Sequence, residues 1–164
     1  MADVMPVGPR PVEADMGIKR VGHVVLKMRD LEVAKAFYGG ILGMKISSES
    51  PIAIFFRFGD YHHDIGVFKV SEDAELPKEN QVGLLHFALV VDSQEALVQM
   101  HQHLKDRGVT IEAMFDHGMT RSLYIYDPEG NAIEIYCEVP EYDWRTNDDF
   151  VGYLKPIDVE ALTS

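Results

Sequence analysis

The chain has 164 residues, 46% apolar and 26% charged, the proportions of a single soluble globular domain with its own core. Fifteen Lys and Arg against 27 Asp and Glu leave a net charge of −12. That sign repels phosphate backbones and anionic headgroups, so neither a nucleic-acid nor a membrane partner is expected. Apolar runs stop far short of the ~20 residues that span a bilayer. The lone Cys137 excludes an internal disulfide and suits a reducing, cytoplasmic setting.

Residues 1–18 read as a flexible arm, rich in Pro and small residues and without the apolar stretch of a secretory leader. A β-branched strand follows, carrying His23 at its middle. Asp30 then caps a helix over LEVAKAFYGG that Gly39, Gly40 and Gly43 bring to an end. MKISSES, IAIFFRFG and HDIGVFKV read as strands. The polar segment SEDAELPKENQ, with Pro77, has no apolar face and links this unit to the next.

The second unit repeats the first in kind. LLHFALVV is a strand with His86 at its middle, and Asp92 with Glu95 three places on forms a capping box. Leu97, Met100 and Leu104 make the apolar stripe of the helix, with His101 and His103 read as solvated or flanking it. VTIEAMF, RSLYIYD and NAIEIYCEV close the unit as strands, Cys137 packing as a small apolar residue. The fold class is therefore α+β, with βαβββ modules over 19–70 and 83–138. A tail over 139–164, with Tyr142, Trp144, Phe150 and Tyr153, is expected to pack on the domain.

His23, His86 and Glu134 each interrupt an apolar strand, where a lone charge is costly to bury unless it is paired or bound to a metal. The two histidines hold the same place in the two modules, so a two-fold arrangement brings them together. Two histidines with one carboxylate typically hold Fe(II) on one face and leave the other open. The first module offers only Gly66 or Val67 opposite Glu134, which leaves three protein ligands and free metal positions. With Val67 as the match, side-chain alternation turns Ile65 and His63 inward and leaves His62 on the surface. Asp127-Pro128-Glu129-Gly130 is a tight turn that sets Glu134 in place, with Tyr124 on the incoming strand and His117 in the loop before it.

The segment His117-(five residues)-Leu123-Tyr124-x-x-Asp127-Pro128-x-Gly130-x-x-x-Glu134 resembles the signature of type I extradiol ring-cleavage dioxygenases. These are members of the vicinal oxygen chelate superfamily, which also includes glyoxalase I. HHDIGVFKV and LLHFALVV are similar to further segments of the family, and the likeness covers roughly 19–138. It departs at Phe115, where the signature prefers a small residue. The resemblance implies one vicinal-oxygen-chelate domain with an open, metal-centred, β-barrel-like sheet. It implies that His23, His86 and Glu134 bind Fe(II), with Mn(II) as the other candidate. His63 would sit beside dioxygen, His117 would act as acid–base, and Tyr124 would hydrogen-bond the substrate. The implied substrate is a small aromatic vicinal diol, cleaved with insertion of both atoms of O2. Most members have two such domains and this chain has one, so it would complete its core by itself or by association, and a homo-oligomer is expected. Two rival readings stand beside this one. A glyoxalase- or epimerase-type isomerase or lyase would want a carboxylate at Gly66 or Val67, and a non-catalytic binding protein would have apolar residues at the ligand positions.

Overall fold

The computed structural model describes residues 17–78, 80–147, 153–159 and 162, so nearly all of the N-terminal arm lies outside the described residues. Strand β1 (Val24–Met28) buries Leu26 and Met28 and leaves Val25 and Lys27 on the opposite face, the period of two that the sequence predicts. Helix α1 (Leu31–Ala34) begins at Asp30, whose carboxylate accepts the Glu32 N–H at 2.8 Å. It runs on as a π-helical stretch over Lys35–Ile41 that buries Phe37 and Tyr38. Strands β2 (Lys45–Ser50), β3 (Ala53–Arg57) and β4 (Ile65–Lys69) complete the first module as a four-stranded sheet of order β1-β4-β3-β2.

The second module contains β5 (Phe87–Val90), α2 (Gln94–Asp106), β6 (Ala113–Asp116), β7 (Thr120–Tyr126) and β8 (Ala132–Glu138). With β9 (Lys155–Pro156) they form a five-stranded sheet, β5-β8-β7-β6-β9. In each module the first strand pairs in parallel with the last, β1 with β4 and β5 with β8. The expected α+β architecture is therefore present as two open sheets with few helices. No helix among the described residues is long and apolar enough to cross a membrane.

Two local expectations need correction. The cap of α2 is Ser93, whose hydroxyl accepts the Ala96 N–H at 3.2 Å, and not Asp92 one place earlier. His101 is buried at 5% exposure, because it stands four residues after Leu97 and three before Leu104 and so shares their face. His103 remains half-buried, its Nε2 2.9 Å from the Ile41 carbonyl.

One apolar core unites both modules, drawing Tyr38 and Phe56 from the first and Leu97, Leu123 and Ile135 from the second. Polar ties cross the same boundary. Tyr38 donates its hydroxyl hydrogen to Asp127 Oδ2 at 2.8 Å, and Arg29 Nε donates to Glu129 Oε2 at 2.7 Å. Asp127 also accepts the backbone N–H groups of Glu129 and Asn131 and the Asn131 side-chain amide, so its turn holds its shape. Burial, followed by the nearby Asp127 charge, pushes the Tyr38 hydroxyl well above the ordinary phenol range. The predicted turn thus does two jobs: it delivers β8, and it locks the modules together.

Candidate active site

Strand register decides which side chains share a face. Ala88 pairs with Glu134 and Val25 with Gly66, so Gly66 is the first-module counterpart of Glu134. A side chain at Gly66 would start 3.1 Å from the Phe55 ring. Val67 and Ile65, expected to face the site, lie in the core at 0% and 1% exposure. His63 nevertheless reaches the open face, because it belongs to the bend that leads into β4 and not to the strand. Its ring stands 4.4 Å from that of His23 and 4.8 Å from that of Phe55, centroid to centroid. His62 is exposed, as expected, but it is not isolated, since its Nδ1 lies 2.7 Å from His63 Nδ1. Desolvation first, then the neighbouring His23 and His62, hold the His63 imidazole below its usual protonation range.

The second sheet gathers a denser group around a cavity of about 470 Å³ that His86, His117, Met119, Tyr124 and Glu134 help to line. His86 Nε2 is 3.0 Å from Glu134 Oε2. Tyr124 donates its hydroxyl hydrogen to Glu134 Oε1 at 2.9 Å, and His117 Nε2 lies 2.9 Å from the same hydroxyl. Desolvation and the Glu134 carboxylate raise the Tyr124 hydroxyl above the usual phenol range, so it is a proton donor at neutral pH. His117 sits in a tight β6–β7 turn: Gly118 takes φ +80°, and its N–H donates to Asp116 Oδ1 at 2.7 Å.

His86, His117, Tyr124 and Glu134 therefore meet, whereas His23 and His63 pair on the other sheet. His23 opens onto a second cavity, about 420 Å³, between Gly22, His23 and Val24 on one side and Ala88, Leu89 and Val90 on the other. Ala88 lines both cavities, so the two halves of the expected ligand set face adjoining spaces. Among the described residues no group of three His, Cys, Asp or Glu stands in a metal-binding arrangement. Both histidines also lie one residue before their strands and not at mid-strand.

The donor chemistry of the His86–Glu134 pair does fit a divalent metal. Bonds of about 2.1 Å at right angles place adjacent octahedral ligands about 3.0 Å apart, and the two atoms are separated by 3.0 Å. Two contacts escape the sequence reading. The His62–His63 contact has a weak signal in the adjacency of the two residues. The contact of His117 Nδ1 with the Tyr153 carbonyl, at 3.2 Å, has none, because a backbone oxygen has no sequence signature.

The family model described as the Glyoxalase/Bleomycin resistance protein/Dioxygenase superfamily matches residues 20–135, and the chain belongs to that superfamily. A biphenyl-2,3-diol 1,2-dioxygenase of Rhodococcus globerulus is 30% identical over 137 residues, covering 82% of this chain and 70% of that protein. A glyoxalase/dioxygenase from Nostoc punctiforme superposes with a TM-score of 0.65 at 22% identity, covering 80% of this chain and 99% of that one. A lactoylglutathione lyase from Agrobacterium tumefaciens superposes with a TM-score of 0.59 at 22% identity, covering 73% and 94%. At those identities the two structural likenesses speak for the fold alone.

Proposed function

We propose that the chain is an extradiol-type dioxygenase that opens the ring of an aromatic vicinal diol. The observation that carries this reading is the continuous polar line His86–Glu134–Tyr124–His117, with contacts of 3.0, 2.9 and 2.9 Å. The 30% identity to a protein named as a biphenyl-diol dioxygenase supports it. His86 and Glu134 are the residues proposed to hold the metal, with His23 as third ligand from the adjoining cavity. Fe(II) bound there supplies one-electron redox chemistry between diol and dioxygen, which Zn(II) lacks.

The remaining work falls to side chains of the chain itself. Tyr124, protonated at neutral pH, orients a substrate oxygen by donating to it or accepting from it. His117 moves a proton through Nε2 as a general acid–base. His63, whose imidazole is held below the usual protonation range by burial and by the neighbouring His23 and His62, offers a ring N–H to charge that builds on the oxygen side. Met119 and the Tyr136 ring flank the same cavity and set the room left for ring substituents.

The test is oxygen uptake by anaerobically purified protein reconstituted with Fe(II) and offered catechol and substituted catechols. Uptake matched by a yellow ring-opened product is the expected result. Tight metal binding without uptake would favour the isomerase or lyase reading, against which the glycine at position 66 already counts. His117→Phe is expected to retain its metal and lose turnover by about 10²–10⁴-fold. Metal analysis alongside steady-state kinetics checks it, and full activity would remove His117 from the reaction.

A further inference from the structure

Which ring nitrogen of His117 carries hydrogen governs what this histidine can do, and a backbone group decides it. Nδ1 lies 3.2 Å from the Tyr153 carbonyl oxygen. A carbonyl only accepts, so Nδ1 is the N–H of this ring, and in the neutral imidazole Nε2 is left bare. Nε2 is 2.9 Å from the Tyr124 hydroxyl, whose single hydrogen has a second acceptor in Glu134 Oε1 at 2.9 Å. One hydrogen cannot fill both, so when it turns to Glu134 a substrate hydroxyl entering the cavity meets Nε2 as an unfilled acceptor.

The segment that follows the carbonyl is held from several sides. Lys155–Pro156 pairs with Asp116 and Phe115, the Ile157 N–H donates to the Met114 carbonyl at 3.2 Å, and Val159 is fully buried. The rings of Tyr142 and Tyr153 close on the His117 turn, at 3.2 and 3.6 Å from where a Cβ on Gly118 would stand.

We propose that the Tyr153 carbonyl is the positioning group for His117, fixing hydrogen on Nδ1 so that Nε2 enters turnover as a proton acceptor. This rests on the dioxygenase reading and deepens it. When a diol hydroxyl lies against Nε2, its O–H bond breaks and the Nε2 lone pair forms the new N–H bond. The oxygen keeps the bonding electrons as an oxyanion, and the ring becomes an imidazolium. That proton is then available for return to an oxygen later in the cycle, so acid and base are one residue and no outside proton source is needed.

The test is ¹⁵N NMR of the full chain labelled at histidine and loaded with diamagnetic Zn(II), with His117→Gln identifying the His117 signals. The expected result is a protonated Nδ1 and an unprotonated Nε2 at neutral pH, the opposite of the tautomer a free imidazole prefers. Finding Nε2–H in the parent chain overturns the proposal without any variant. Tyr153→Ala removes a ring that is 48% exposed while keeping the carbonyl. Because the carbonyl stays, the Nδ1–H tautomer is expected to persist and, in the Fe(II) form, kcat to change less than about twofold. Loss of the Nδ1–H tautomer in that variant would move the role from the carbonyl to the Tyr153 ring and overturn the proposal. The Nδ1–H tautomer without oxygen uptake from any diol would instead sink the dioxygenase reading, and the two failures are read on different instruments.

Discussion

Glu134→Gln is expected to leave the protein folded and almost free of iron, with affinity weakened by about 100-fold or more. The amide is nearly isosteric, and its oxygen can still accept from the Tyr124 hydroxyl, which now meets Oε1 at 2.9 Å. It has lost the negative charge that makes a carboxylate a ligand for a hard cation. Glu134 is only 13% exposed at its side chain, so few waters can stand in for the missing donor. Metal content after dialysis, beside an unchanged circular dichroism spectrum, measures the outcome. Stoichiometric iron in the variant would strike Glu134 from the ligand set. His23→Ala sharpens the same experiment: a comparable loss of iron is expected if His23 is the third ligand, and undiminished binding would confine the site to the second sheet.

Asp127→Ala is expected to cost about 3–5 kcal/mol of stability. The carboxylate is 4% exposed and accepts hydrogen bonds from Tyr38, Asn131 and two backbone N–H groups. Truncation strands the Tyr38 hydroxyl in the core without a partner and frees the turn that leads into β8. Tyr38→Phe removes the hydroxyl together with its need for a partner and is expected to cost about 1–2 kcal/mol. Urea unfolding of both single variants and the double variant reads the coupling. Additive costs would show that the hydrogen bond does not tie the modules together. Because Glu134 lies on β8, loosening the turn should also weaken metal retention before the chain unfolds.

Much of the candidate site could be read from spacing. The turn at Asp127–Gly130, the Tyr124 strand and Glu134 lie within a few residues of one another, and a two-stranded ladder fixes their relation: Tyr124 pairs directly with Glu134. The register argument for His63 does not hold, although its ring does stand beside that of His23. Alternation was carried through a segment that is bent and unpaired, and the true match to Glu134 is Gly66, not Val67. Register depends on which rows of apolar side chains meet the core, so two adjacent apolar candidates look alike until Val67 is seen buried.

The element order of the two modules, the Asp30 cap and the tight turn follow from residues that act on near neighbours, and periodicity and capping chemistry suffice for them. Three features needed the folded chain. These are His23 standing across an adjoining cavity from the His86–Glu134 pair, His62 leaning on His63, and the Tyr153 carbonyl fixing His117. Each joins groups whose positions depend on how the sheets pack and where the chain returns. A backbone oxygen 36 residues from its histidine leaves no trace in composition or spacing.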